Sequence, residues 1–138
     1  MTVWILYNYD DKVDGVFTAA GKAKKEEQFY EEALRRRSET NARLTQEIVE
    51  LRELRQPYIT EAELMLEEER AAKEENHTGR LKAARKQRKV LLRQAEHLTY
   101  DIQRREEKIF ASQRMTKANI LSTYGLDYYF EEHFVEDV

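Results

Sequence analysis

Residues 61–93 read EAELMLEEERAAKEENHTGRLKAARKQRKVLLR, and their distribution of charge predicts a helical hairpin. Its first part, residues 61–75, carries seven glutamates against one arginine and one lysine. Its last part, residues 80–93, carries seven basic side chains and no acidic one. Between them, residues 76–79 read Asn-His-Thr-Gly, a composition that favours a loop. If the chain reverses there, an acidic helix lies antiparallel to a basic helix. Each exposed ion pair between them contributes only about 0–1 kcal/mol, but together the opposite charges fix the register of the two helices.

Helix-forming residues extend in both directions from this turn. Thr18 can cap the start of the outgoing helix, because its hydroxyl can accept from a backbone N–H of the first turn. Heptad spacing predicts an apolar seam that is interrupted by Arg37, Arg88 and Arg105. The polar residue Asn41 also lies in this seam, either to set the register of the helices or as a chance interruption. The apolar residues at heptad spacing are Leu34, Leu44, Ile48, Leu51, Leu81, Ala84, Leu91, Ala95, Leu98, Ile102 and Ile109.

Pro57 lies within the outgoing arm. A proline inside a helix removes one backbone hydrogen bond and bends the helix. The residues that follow it, Thr60-Glu61-Ala62-Glu63, fit a capping box that could start a new helix. We therefore expect a kink or a helix break near Pro57, with the main reversal at residues 76–79.

The N-terminal segment has the period-two pattern of strands. In residues 2–9, branched and aromatic side chains alternate in the manner of a half-buried strand. Asp10-Asp11-Lys12 supplies turn residues, and residues 13–17 read as a short returning strand. Two strands alone are marginally stable, so a third strand and a covering helix are expected.

The C-terminal segment supplies that third strand. Gly125 can end the returning helix, and residues 128–135 alternate again. The outgoing stretch 18–75 is longer than the return stretch 80–122 by about 15 residues, which is enough helix to lie across a small sheet. Residues 18–33 are therefore expected to cover the sheet.

These elements predict an α+β chain that is mainly α. A small three-stranded antiparallel-type sheet with one helix, a ββαβ domain, is predicted from residues 1–33 together with 123–138. A long antiparallel coiled-coil helical hairpin is inserted into it over residues 34–122. One proline, four glycines and 37% charged residues fit such long solvated helices.

The two ends resemble known proteins. Val3-Trp4-Ile5-Leu6-Tyr7, with Val13-Asp14-Gly15-Val16-Phe17-Thr18 and Lys22-Ala23, looks like the first half of short ββαβ proteins encoded by bacteriophages and bacteria. Asp127-Tyr128-Tyr129-Phe130-Glu131-Glu132-His133-Phe134-Val135 looks like their closing strand. The function of these proteins is mostly unassigned. The resemblance implies a phage-like origin and the ββαβ fold, and it supplies no activity and no functional residues.

The chain lacks the usual signatures of catalysis. It has no cysteine, no Gly-rich phosphate loop and three widely spaced histidines. Acidic side chains cluster at a turn and near the C-terminus. A turn with three acids is usually just solvated. Near the C-terminus, strand alternation places Glu131 and His133 on one face and Glu132 on the other, so these side chains do not converge. We therefore predict a non-enzymatic protein with no catalytic residue, cofactor or metal site. The clusters are Asp10, Asp11 and Asp14, and Glu131, Glu132, His133, Glu136 and Asp137.

Aromatic residues at the two ends exceed what one face of a small sheet must bury. These residues either belong to the hydrophobic core or anchor an interface, as tyrosine, tryptophan and phenylalanine often do. In the second case the uncovered sheet face is a docking surface or a dimer surface. A homodimer is also expected because two hairpins can bury more as four helices than one hairpin alone. The candidate protein-binding residues are Trp4, Tyr7, Tyr9, Tyr128, Tyr129 and Phe134.

The basic arm is a candidate for contacts with phosphates. Two observations count against it: the facing acidic arm is close enough to screen the charge, and the arm has no aromatic residue on which a base could stack. Nucleic-acid binding is therefore a disfavoured alternative. The candidate residues are Arg80, Lys82, Arg85, Lys86, Arg88, Lys89 and Arg93.

The leading functional prediction is an interaction protein of phage or mobile-element type, of which an inhibitor that occludes a host defence system is one specific form. A structural strut of a virion or filament is the alternative. The N-terminal apolar run is too short for a signal peptide, and no stretch approaches the roughly 20 apolar residues of a membrane span. We expect a cytoplasmic protein, in the host cytoplasm if a phage encodes it, with a protein partner and no membrane.

Overall fold

The computed structural model describes residues 1–136, and its element order confirms the predicted α+β, mainly helical class. The elements are β1 (Thr2–Tyr7), β2 (Val13–Phe17), α1 (Ala19–Glu74), α2 (Thr78–Gln113), α3 (Lys117–Tyr124) and β3 (Tyr129–Phe134). The chain forms two compact units. Unit 1 comprises Met1–Asn41 and Ala111–Val138, and unit 2 comprises Ala42–Phe110.

Unit 1 is built on an antiparallel sheet with strand order β2-β1-β3. Leu6 in the central strand is fully buried and pairs with Gly15 on one side and Phe130 on the other. The β1–β2 turn is held by the Asn8 side chain, whose Oδ1 accepts from the backbone N–H of Asp10 at 3.0 Å. This Asx-type bond explains why a polar, acidic stretch forms a defined turn.

Helix α1 begins where the sequence predicts a cap. The N–H of Gly21 donates to Thr18 Oγ1 at 3.3 Å, which satisfies one of the first-turn donors. The following turns lie against the sheet: the Lys22 ammonium is 5.4 Å from the centre of the Phe130 ring. The Phe29 ring is 6.4 Å from the same ring. The first part of α1 therefore covers one face of the sheet.

Helix α1 continues through Pro57 to Glu74. The expected helix break does not occur, and the kink stays a prediction. Pro57 is exposed, so the carbonyl of Glu53 that it leaves without a helical donor can be hydrated. Ala62, one turn further on, is buried in the seam and keeps the helix against its partner.

The two long helices pack in unit 2 along a seam that includes six of the predicted heptad residues, and also Ala62 and Ala72, which were not predicted. Predicted Leu51, Leu81, Leu98 and Ile109 are only half-buried. Residues 75–77 separate them and overlap the stretch predicted to turn. Asn76 there has a φ of 55°, a left-handed conformation that asparagine tolerates. The buried seam residues are Leu44, Ile48, Ala62, Ala72, Ala84, Leu91, Ala95 and Ile102.

A polar contact joins α1 and α2 within unit 1. Asn41 Nδ2 donates to Ser112 Oγ at 2.8 Å, and Ser112 Oγ lies 3.1 Å from Asn41 Oδ1. Arg37 Nη1 donates to the carbonyl of Ser112 at 3.2 Å. Ser112 is almost completely buried. This contact favours the register-setting interpretation of Asn41, because a shifted pairing would bury these polar groups without partners.

The return arm differs from the expected single helix over 80–122. It ends at Gln113, and α3 begins at Lys117. Thr116 lies between them as an N-cap whose Oγ1 accepts from the N–H of Asn119 at 3.3 Å. A threonine side chain competes with the helix for backbone donors, which explains the interruption. Helix α3 then ends at the predicted cap, Gly125.

Candidate functional site

The sheet in unit 1 has one covered face. Trp4 pairs with Phe17 and Glu132, so these residues and the neighbouring Leu6 and Phe130 point to the same side. The Lys22 ammonium lies 5.8 Å from the centre of the Trp4 ring, and α1 therefore contacts this side. Trp4, predicted as a docking residue, packs under α1.

The opposite face of the sheet carries apolar side chains. Ile5 pairs with Val16, and Tyr7 pairs with Tyr129. The Tyr7 and Tyr129 rings stack at 5.0 Å between centroids. Val16 is 62% exposed and Tyr129 45% exposed. We call this surface the open face; its residues are Val3, Ile5, Tyr7, Val16, Tyr129, Glu131 and His133.

A side-chain hydrogen bond fixes one end of the open face. The Tyr129 hydroxyl donates to Asp11 Oδ1 at 3.0 Å. This bond to a carboxylate, aided by desolvation, raises the pKa of Tyr129 above its usual range. Asp11 has a φ of 57°, so the turn conformation carries its carboxylate to β3. The acidic turn therefore holds the tyrosine in place.

The other predicted docking aromatics lie elsewhere in unit 1. Tyr128 stacks on Phe29 at 4.4 Å and lines a groove of about 410 Å³ on the covered side. Tyr9 is exposed in the β1–β2 turn, and Phe134 is exposed at the end of β3. The structure thus brings together only Tyr7 and Tyr129 of the predicted set. Val16 was missed, although its alternation with Phe17 was a signal that it faces away from the helix.

The C-terminal acidic cluster contributes one pair to the open face. His133 Nε2 lies 3.1 Å from Glu131 Oε1. Within residues 1–136, no group of three or more His, Asp or Glu side chains is arranged to hold a metal ion. Asp137, which the sequence places in this cluster, lies outside the described residues.

Three of the seven predicted basic-arm residues pair with acids of α1 in unit 2. Arg80 Nε donates to Glu68 Oε1 at 2.9 Å, and Arg80 also pairs with Glu75. These hydrogen bonds raise the pKa of Arg80 further above its usual range. Arg85 and Arg88 both pair with Glu69, the latter through two hydrogen bonds.

The other four predicted residues of the basic arm are exposed on α2. They follow one another at intervals of four, three and four residues, so they lie on one face of the helix. We call this surface the basic stripe; its residues are Lys82, Lys86, Lys89 and Arg93.

No family model, curated protein or solved structure matches this chain in the comparisons with known proteins. The resemblance of the two ends to short ββαβ proteins of phages and bacteria therefore stays a prediction. In the part of the chain that the structure describes, no helix is both long enough and apolar enough to cross a membrane. The open face and the basic stripe are the two surfaces from which a function can be argued.

Proposed function

We propose that this chain is a protein-interaction protein that presents the open face to a protein partner. The observation that carries the proposal is the stacked Tyr7–Tyr129 pair beside exposed Val16, on the face of the sheet opposite the one that the first part of α1 covers. Exposed apolar patches mark interaction sites. Tyrosine is also enriched among residues that dominate binding energies.

The character of the open face favours a protein over a small molecule. A small ligand needs a concave site that encloses it, whereas a sheet face is broad. Its apolar side chains lie beside the polar pair of Glu131 and His133, which corresponds to the apolar core and polar rim of protein interfaces. The strands β2 and β3 are both at edges of the sheet, and their free backbone groups offer further pairing to a partner strand.

The finer form of the proposal concerns the kind of partner. The ends of the chain resemble phage proteins, and this supports a protein of phage or mobile-element type. In its specific form, the chain inhibits a host defence complex by covering the surface that the complex needs. The competing proposal is a strut in a virion or filament, in which the partner is the assembly itself.

A comparison of three baits tests the open face. The wild-type protein, a Val16→Arg variant and a Leu64→Arg control are each tagged and incubated with bacterial lysate, and retained proteins are quantified by mass spectrometry. Leu64 is 54% exposed on α1 in unit 2, so the control makes the same change at a similarly exposed apolar position. We expect a stoichiometric partner that the wild type and the Leu64→Arg variant retain and that the Val16→Arg variant loses.

The opposite pattern contradicts the proposal. A partner that binds the Val16→Arg variant as well as the wild type does not use the open face. Recovery of the protein alone, with a light-scattering mass larger than that of a dimer, favours the competing proposal of a structural strut. If the wild type has the light-scattering mass of a dimer and the Leu64→Arg variant that of a monomer, the result supports the homodimer predicted through the hairpin. If instead the Val16→Arg variant has the mass of a monomer, the second copy binds the open face.

A further inference from the structure

The basic stripe is an ordered row of charges. At about 100° per residue, its four side chains fall within about 60° of the helix circumference. They span 12 residues of α2, from Lys82 to Arg93, a length of roughly 16 Å at the usual rise. A single rigid helix therefore presents them as one line.

The stripe lies on the side of α2 away from α1. Ala84 and Leu91 are buried in the seam, and Arg88 turns toward Glu69. All four stripe residues lie about 140–180° around the helix from Ala84 and Leu91. Arg85, one turn from both Lys82 and Lys89, nevertheless reaches Glu69 of α1. Over the described residues 1–136, the acids of α1 pair with Arg80, Arg85 and Arg88 of the basic arm and with no residue of the stripe, which weakens the main sequence-based argument against a polyanionic ligand.

The stripe is also unpaired. Among residues 1–136, none of its four side chains forms an ion pair, whereas Arg80, Arg85 and Arg88 all do. No acid lies between residues 80 and 93. Like charges three or four residues apart repel one another and destabilise a helix. An anionic ligand would relieve this repulsion.

The residue types select among polyanions. An anionic membrane is disfavoured because a helix at a membrane surface inserts a continuous apolar face. In the basic arm, Ala84 and Leu91 are buried in the seam, and the exposed Val90 and Leu92 lie on different sides of the helix. An acidic protein is disfavoured because the stripe has none of the aromatic anchors that dominate protein interfaces. Single-stranded nucleic acid is disfavoured because no aromatic residue in the arm can stack on a base. The backbone of a duplex needs only positioned positive charge.

We propose that the basic stripe binds the phosphate backbone of duplex nucleic acid without sequence preference. Three of its four residues are lysines, which act as point charges and read no base edge. This surface belongs to unit 2, and the proposed protein-binding face belongs to unit 1. The two proposals therefore fail or succeed separately.

Salt dependence is the first measurement. Fluorescence anisotropy of a labelled 20-base-pair duplex of arbitrary sequence is titrated with the full chain at several salt concentrations. Neutralisation of about four phosphates predicts a slope of about −3.6 for log K against log salt, so affinity falls about 150-fold between 50 and 200 mM salt. A second duplex of unrelated sequence should bind equally well.

A charge-matched pair of variants locates the site. Lys86→Gln with Lys89→Gln removes two charges of the stripe and should reduce the slope to about −1.8, a loss of only about 12-fold over the same salt range. The control, Lys24→Gln with Lys73→Gln, removes two exposed lysines elsewhere and should retain the wild-type slope. Lysine and glutamine have similar helix propensities, so all three proteins should show the same helical circular dichroism.

Four results would overturn the proposal. They are an absence of binding at 50 mM salt, equal slopes for the stripe variant and the control, tighter binding to the single strand than to the duplex, and displacement of the duplex by polyglutamate at equal charge concentration. The last result would assign the stripe to an acidic protein.

Discussion

The ion pair between Glu69 and Arg88 allows the packing of unit 2 to be tested. The Glu69 side chain is 8% exposed and that of Arg88 is 31% exposed. Arg88 donates two hydrogen bonds to the Glu69 carboxylate, and Arg85 Nε lies 3.3 Å from it. Both members of the pair occupy positions where the heptad pattern calls for apolar residues.

Glu69→Gln removes one charge and leaves the arginine in the seam. Breaking a fully buried pair in this way costs about 3–5 kcal/mol. Since Arg88 is partly exposed and can turn toward water, we expect the free energy of unfolding to fall by about 2 kcal/mol. The double variant Glu69→Leu/Arg88→Leu restores an apolar seam, and we expect it to be at least as stable as the wild type, because well-packed apolar replacements of buried pairs are often neutral or stabilising.

Urea denaturation followed by circular dichroism at 222 nm measures both variants. With a slope of about 2 kcal/mol per molar urea, Glu69→Gln should lower the midpoint by about 1 M. Glu106→Gln is the control, because Glu106 forms an exposed ion pair with Arg52 and should cost less than about 1 kcal/mol. Equal midpoints for the two single variants, or a double variant less stable than Glu69→Gln, would show that the buried pair does not stabilise the seam in this way.

Two further predictions concern a backbone position and a titrating group. A Cβ at Gly125 would lie 2.3 Å from the carbonyl oxygen of Leu121, whereas at Gly79 the nearest atom would be 3.6 Å away. Thermal melts should show Gly125→Ala to be destabilised by about 2 kcal/mol and Gly79→Ala to be stabilised by about 0.5 kcal/mol; the reverse order would contradict the structure. The raised pKa of Tyr129 means that its bond to Asp11 stabilises the fold below about pH 10, and that this stabilisation is lost as the pH rises through the folded-state pKa. The urea midpoint of Tyr129→Phe should therefore fall less between pH 9 and 11 than that of the wild type. Parallel profiles for the two proteins would show that this bond does not stabilise the fold.

The class of the fold could be predicted from sequence because its elements follow short-range patterns. The period of 3.5 residues that includes Ala84 and Leu91 specifies a helix seam, and the alternation in β1 specifies a strand. The interruption at Thr116 could not be predicted with the same ease. One threonine among helix formers gives a weak local signal, and tertiary packing decides whether it caps a new helix.

The candidate surfaces were only partly predictable. Alternation places Trp4 and Tyr7 on opposite faces of the sheet, but it does not say which face α1 covers, because that depends on contacts distant in sequence. The division of the basic arm was only partly accessible to helix geometry. Arg88 lies at a seam position, so its pairing across the seam could be predicted from the spacing. Arg85 lies one turn from both Lys82 and Lys89, so its pairing with Glu69 could not.

The position of β1 at the centre of the sheet has a consequence for biosynthesis. Thr2–Tyr7 is synthesised before all of the helices, yet one of its two neighbours in the sheet is Tyr129–Phe134, which is synthesised after them. The Met1 amine also donates to the carbonyl of Val135 at 2.9 Å. Until that segment emerges, β1 and β2 form only a two-stranded hairpin, which is marginally stable in water.

The helices of unit 2, in contrast, meet across a short turn and can form as soon as both have been synthesised. Contacts that close a long loop are slower because the chain loses more entropy before it gains them. The hairpin of α1 and α2 should therefore form before the three-stranded sheet. A nascent chain arrested before residue 129 would therefore contain the hairpin but lack Tyr129, one of the two tyrosines of the open face.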